Sequence, residues 1–331
     1  MEERDKEQKK CLTVAQDGSG DYVTIGEALD AVGEEGEEPV TLRIGRGVYK
    51  ERLEIRRPFL TLEGEDREHT VITGAYYARM TMEDGTKRGT FRSYSVLIDT
   101  HDFVARNLTF QNNAGPGALV GQAVALYVDG DRIVFDGCRF LGSQDTLFTG
   151  PLPPSEIEPG GFVGPKEHAP RINGRHYYRN CYIRGDIDFI FGSATAYFER
   201  CCLFSQDTGR QINGYVTAAS TPEGQEYGYV FESCHFSGNC PPETVYLGRP
   251  WRNFAQVVLL NCRLEAHIRR EGWHDWGKRE SHDTLYFAEY NSTGPGAAPD
   301  SRPEWVDILT EEKKKHYSRE KVLGGADHWR P

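Results

Sequence analysis

The sequence predicts an all-β protein: a single-stranded right-handed parallel β-helix with an N-terminal capping helix and a C-terminal helical or extended tail. Three observations carry this expectation. First, six segments share one pattern: VARNLTF (104–110), IVFDGCRF (133–140), YYRNCYI (177–183), YFERCCLF (197–204), YVFESCHF (229–236) and VVLLNCRL (257–264). Each runs through apolar residues to a polar or turn-forming residue, then to Cys or Leu, then to an alternating apolar end. The equivalent positions are Leu108, Cys138, Cys181, Cys201, Cys234 and Cys262, 20 to 43 residues apart. Repetition on this scale indicates stacked units that cannot bury their apolar faces alone. Second, the 36 glycines suit a chain with many turns. Third, the spacing is irregular and clear two-residue hairpin turns are missing, which argues against a sandwich or a propeller.

The elements follow in chain order. Residues 1–10, MEERDKEQKK, are expected to form a charged, disordered tail. They hold no apolar segment of the kind a secretory signal needs. As written, the chain therefore reads as cytoplasmic, or as secreted if its signal is not included. No apolar stretch approaches the roughly 18 residues of a membrane span. The solenoid domain is expected over 11–310. Within it, TIGEALDAVGE (24–34) predicts the capping helix. Thr24 and Glu27 form a capping box, and Ile25, Ala28, Leu29 and Val32 share one face. The Pro- and Gly-rich stretch at 151–170 predicts a long loop projecting from the solenoid. The tail, 311–331, includes most of TEEKKKHYSREKVLGG (310–325), which predicts a solvated helix ending at Gly.

Charge and cysteine use narrow the function. The formal charge is −11, which argues against a nucleic-acid partner and sits awkwardly with a strongly anionic substrate. The eight cysteines contain no C-x-x-C pair, and five fall on the repeat. They read as small buried hydrophobes rather than zinc ligands or disulfides.

One residue breaks the apolar pattern. RGDIDFIFGSA (184–194) places Asp188 among Ile187, Phe189, Ile190 and Phe191. An ionised carboxylate is costly to bury without a partner. Asp145 in GSQDTLF (142–148) has a similar setting, and a solenoid brings similar places in successive turns together. Two carboxyls in different surroundings divide acid and nucleophile roles. Gln122 in GQAVALYV (121–128) and Gln144 offer N–H donors for an oxyanion. LGRPW (247–251) supplies Arg249, which can hold a carboxylate ionised, and Trp251 on the same side of a strand. WHDW (273–276) adds Trp273 and Trp276 as candidate sugar platforms. A buried Asp–Arg pair is also a purely structural device, and a lone Trp is more often core than platform. His101, His176, His235 and His267 show no obvious partner and read as structural. No G-x-S-x-G elbow supports a serine triad, and these acids stand singly rather than in a dense calcium loop.

Five motifs stand in order: GVYKE (47–51), GQAVAL (121–126), SQDTL (143–147), DFIFG (188–192) and LGRPW (247–251). TFRSYSV (90–96), LTFQNNAGP (108–116) and TLYFAEYNSTGPGA (284–297) add to them. With these motifs the chain resembles the pectin methylesterases, or pectinesterases, from about residue 11 to 310. The resemblance implies a right-handed parallel β-helix that hydrolyses methyl esters of galacturonate in pectin or oligogalacturonides. It implies Asp188 as nucleophile, Asp145 as proton donor and acceptor, and Gln144 and Gln122 as groups that stabilise the oxyanion or bind substrate. It further implies Arg249 as the group orienting the nucleophile, and Thr90, Trp251 and Trp276 as substrate contacts. No metal and no organic cofactor are implied. The partners expected are the methyl-esterified polymer or oligomer and water, with no nucleic acid, no membrane and a monomeric chain. A neutral ester also removes the awkwardness of the −11 charge. Rival readings are a lyase or polygalacturonase on the same scaffold, an esterase or thioesterase on a non-pectin substrate, and a non-catalytic carbohydrate-binding β-helix.

Overall fold

The protein is described here by a computed structural model covering residues 10–331. The charged tail expected over 1–10 lies outside the described residues except for Lys10, which opens the strand Lys10–Val14. Among the described residues, three sheets of eleven, seven and eight strands run along the molecule. Except for the first two and the last two strands, chain neighbours fall in different sheets, and each sheet joins one coil to the next through parallel pairing. The architecture is a parallel β-helix.

A backbone turn explains the sequence repeat. Asn107, Gly137, Asn180, Arg200, Ser233 and Asn261 all have φ between 52° and 64°. This left-handed conformation suits Gly and Asn best, and it bends the chain from the eleven-stranded sheet into the eight-stranded one. The next side chain then points inward. Leu108, Cys138, Cys181, Cys201, Cys234 and Cys262 are each at most 2% exposed. Each thiol lies 3.3–3.5 Å from a carbonyl of the coil before it, those of Ala105, Phe135, Tyr178, Phe198 and Phe231 in turn. The cysteines are free, and burial pushes the Cys138 thiol up to about 12. Beside this ladder Phe135, Tyr178, Phe198 and Phe231 pair in register. Their rings stack at centroid distances of 5.0, 4.5 and 4.5 Å.

The helix Ile25–Val32 carries the expected capping box: Thr24 Oγ1 accepts from Glu27 N at 3.2 Å, and Glu27 accepts from Thr24 N at 3.1 Å. Glu51 of GVYKE accepts from Ile25 N and Gly26 N at 3.0 and 2.8 Å. That motif therefore fixes the helix start, where a carboxylate is favoured.

The tail departs from expectation. It forms two short helices, Glu311–Lys314 and Arg319–Gly324, joined through a 3-10 turn and an extended Ser318. The break turns Val322 and Leu323 onto the outer face of the eleven-stranded sheet, beside Tyr177 and Tyr197. A single solvated helix would have left that apolar strip uncovered.

Candidate active site

The seven-stranded sheet positions the site. Its strands Leu126–Val128, Leu147–Thr149, Ile187–Gly192, Gly214–Ala219 and Val245–Pro250 lie in consecutive coils. Gln122, Gln144 and Asp145 stand just before two of these strands. Asp188 and Arg249 lie within two others. Thr90 opens a short 3-10 turn before the strand Val96–Ile98. Together with Trp251 and Trp276 these residues line one groove of about 370 Å³.

Local backbone geometry aims the two aspartates. Asp188 has φ 51° and Asp145 has φ 62°, values that side-chain-bearing residues rarely adopt. At Asp188 the strand register against Gly214–Ala219 shifts between Ile187 and Ile190. A bulge re-aims a side chain in this way. Phe189 and Ile190 thus both enter the core, while Asp188 faces the groove. Asp145 N donates to Ile187 O at 3.0 Å, which ties the two aspartate segments together.

Arg249 reaches Asp188 with a two-pronged contact, Nε to Oδ1 at 2.8 Å and Nη2 to Oδ2 at 2.6 Å. Its guanidinium carbon lies 3.6 Å from the Trp276 ring centroid and 3.8 Å from that of Tyr215. The aromatic faces hold the fork in place and contribute cation–π attraction. Lys278 Nζ donates to the carbonyls of Pro250 and Trp251, both at 2.9 Å, which fixes the LGRPW turn. Trp251 stacks on Phe91 at 6.3 Å. The Gln144 side chain rests on Gly117, where an added Cβ would approach its Cβ to 2.7 Å.

The two carboxyls are 8% and 7% exposed at Asp145 and Asp188, yet their electrostatics differ. Burial raises Asp145 well above the usual carboxylate range, and the neighbouring Asp188 charge raises it further. Burial also raises Asp188, but the Arg249 hydrogen bonds and charge pull it back down. Arg249 therefore acts in the direction read from sequence without bringing Asp188 below its ordinary value, because desolvation outweighs it. The order remains: Asp145 holds a proton more tightly than Asp188.

Several expectations need correcting. Trp273 is no platform; it is buried, and its indole N–H donates to Glu289 at 2.9 Å. The histidines are less solitary than they read. His235 meets Glu265 at 2.9 Å and His101 meets Asp102 at 2.7 Å. His176 is buried against the Gly130 carbonyl at 3.0 Å, and burial pushes it down to about 4. The sequence reading also missed Phe162, Phe191, Tyr215 and Arg252. Phe191 stood inside DFIFG without a role, but nothing in the pattern singles out the other three.

A solenoid whose open groove combines two buried carboxyls in unlike surroundings with stacked aromatic rings is suited to acting on an extended carbohydrate chain. Comparison with known proteins narrows that class. The pectinesterase family model matches residues 11–151 and 171–326, and the chain belongs to this family. Pectinesterase 31 of Arabidopsis thaliana is 36% identical over 315 residues, covering 93% of this chain and 90% of that protein. A pectinesterase of Petunia integrifolia is 33% identical, covering 97% and 81%. Among solved structures, the carrot pectin methylesterase superposes with a TM-score of 0.80 at 31% identity, covering 96% and 93%. The pectin methylesterase PemA from Erwinia chrysanthemi gives 0.77 at 30%, covering 97% and 98%.

Proposed function

We propose that this enzyme removes methyl esters from galacturonate residues of pectin, releasing methanol, through an aspartate nucleophile and an aspartate acid–base. The observation that carries the mechanism is the contrast between the two carboxyls: Asp188 is forked by Arg249, whereas Asp145 is raised by burial and by Asp188 itself. Asp188 attacks the ester carbonyl carbon in its ionised form. The tetrahedral oxyanion takes hydrogen bonds from the amides of Gln122 and Gln144. Asp145 gives its proton to the departing methanol oxygen as the C–O bond breaks, leaving an acyl–Asp188 anhydride. Ionised Asp145 then takes a proton from water, whose oxygen adds to the sugar acyl carbon. Collapse restores Asp188 and frees the galacturonate. Thr90, Trp251 and Trp276 contact the sugar chain. The mechanism asks for no group from a second copy, so we expect the enzyme to act as a monomer. Among the described residues no helix is long and apolar enough to cross a membrane.

Methanol release from methylated galacturonan tests the reading, with chain length followed in the same reaction. Turnover without shortening is expected; chain cleavage in place of methanol release would indicate a lyase or glycosidase. Asp188→Asn should lower kcat by ~10³-fold or more while substrate binding stays measurable by calorimetry. An active Asp188→Asn variant would remove the nucleophile assignment.

A further inference from the structure

Residues 152–170 fall between the two stretches that match the family, so the family pattern has no counterpart for them. The segment is firmly anchored. Phe162 is 5% exposed and packs edge-on against Phe91 at 5.6 Å, with Trp251 at 6.4 Å. Gly164 presses on the same phenylalanine, and an added Cβ there would lie 2.8 Å from the Phe91 carbonyl oxygen. Lys166 Nζ binds Asp99 at 2.6 Å. Arg171 closes the base of the loop by donating to the carbonyls of Lys166, Ala169 and Glu167 at 2.6 to 2.8 Å.

So held, the segment contributes a wall to the catalytic groove through Ile157, Glu158, Gly161 and Phe162. Ile157 is 61% exposed there, an apolar side chain facing a polar solvent. Arg252 also lines the groove and lies against the same segment, its guanidinium 5.9 Å from the Phe162 ring centroid. Its Nη2 donates to the Ser155 carbonyl at 2.6 Å rather than to a carboxylate, and its buried Nε has no hydrogen-bond partner. Arg249 is already matched by Asp188. The groove thus holds one further guanidinium that attracts a free galacturonate carboxylate, and one carboxylate, Glu158, that repels it.

The geometry points to the 152–170 segment as a reader of methylation state at a sugar flanking the scissile ester. Glu158 in the groove lining disfavours an ionised sugar, while Ile157 offers apolar surface to a methyl ester. The enzyme then works best within methylated stretches and poorly beside its own product. This inference rests on the pectin-esterase reading above.

The test compares kcat/KM for methanol release from galacturonans of equal length and high or low methylation, at low salt. The wild-type enzyme should prefer the highly methylated polymer. Glu158→Gln should raise kcat/KM on the poorly methylated polymer by about threefold to fivefold, the size of a partly screened charge interaction. That gain should fade near ~0.5 M salt, where screening is short-ranged. Ile157→Ser should lower kcat/KM on the highly methylated polymer by about threefold, as expected for one lost methyl-sized contact. Glu167→Gln removes the same charge from the same loop outside the groove lining and should leave the ratio of the two substrates unchanged. An unaltered ratio in Glu158→Gln, or an equal shift in Glu167→Gln, overturns the inference. Absence of methanol from the wild-type enzyme would instead overturn the esterase reading beneath it.

Discussion

Arg249 grips Asp188 by both carboxylate oxygens, at 2.8 and 2.6 Å, while its own flat faces rest on Trp276 and Tyr215. The strand holding Arg249 is separated from that of Asp188 by one strand of the seven-stranded sheet. The guanidinium must therefore span a coil to reach its partner, and the two rings keep it extended. The fork is also the main influence opposing desolvation at Asp188.

Arg249→Lys keeps the charge and loses the fork. A lysine ammonium is a compact point charge that cannot bind both oxygens in one plane or stack between rings. We expect kcat to fall by ~10²-fold, within the range seen when a preorganised polar contact is lost. Arg249→Ala removes the lowering influence as well, so Asp188 rises further. The proposed mechanism needs Asp188 ionised, so the acidic limb of the kcat/KM profile should move to higher pH. The limbs belong to the coupled pair of aspartates. An unmoved acidic limb in Arg249→Ala would contradict the role given to the guanidinium.

Asp145 should weaken the fold at neutral pH. Its folded proton affinity is raised well above the usual carboxylate range by burial and by Asp188. A carboxyl raised on folding contributes its stability below the unfolded value and loses it as pH rises through the folded value. At pH 7 the folded state must either retain a proton or bury a charge. Asp145→Asn removes that penalty, so its melting temperature should exceed the wild type's by roughly 2 °C or more at pH 7. The gain should shrink as pH falls toward 3.8. Thermal unfolding at several pH values checks both the sign and the window.

A second buried ion pair lies away from the groove. Arg302 meets Glu289 at 2.6 and 3.2 Å, and the same carboxylate accepts from the Trp273 indole at 2.9 Å. Arg302 also donates to the Arg270 carbonyl at 2.6 Å. Glu289→Ala strands the guanidinium and the indole N–H together. Breaking one side of a buried pair costs about 3–5 kcal/mol, and denaturant titration should show a loss of that size. Neither Glu289 nor Arg302 lines the groove, so kcat at a temperature where the variant is folded should fall by less than in Arg249→Lys.

The repeat was legible because a β-helix writes its geometry along the chain. Each coil needs a residue tolerant of the left-handed region, then a compact inward side chain, and both recur at Asn107–Leu108, Asn180–Cys181 and Asn261–Cys262. The helix start at Thr24 was legible for the same local reason, since both halves of its capping box lie within four residues. The tail and Trp273 were not. Val322, Leu323 and Trp273 find their partners on distant strands, and nothing in their own segments says whether those partners exist.

The motifs name the groups capable of the chemistry, because carboxyl, amide and guanidinium side chains are readable wherever they occur. Their division of labour is a different matter. Whether a carboxyl in this groove is raised strongly or mildly depends on how deeply it is buried and which charge lies beside it. Those quantities arise only when coils 43 residues apart in sequence stack against each other. The wall added by residues 152–170 is likewise a product of packing, since Phe162 reaches Phe91 only across the assembled groove.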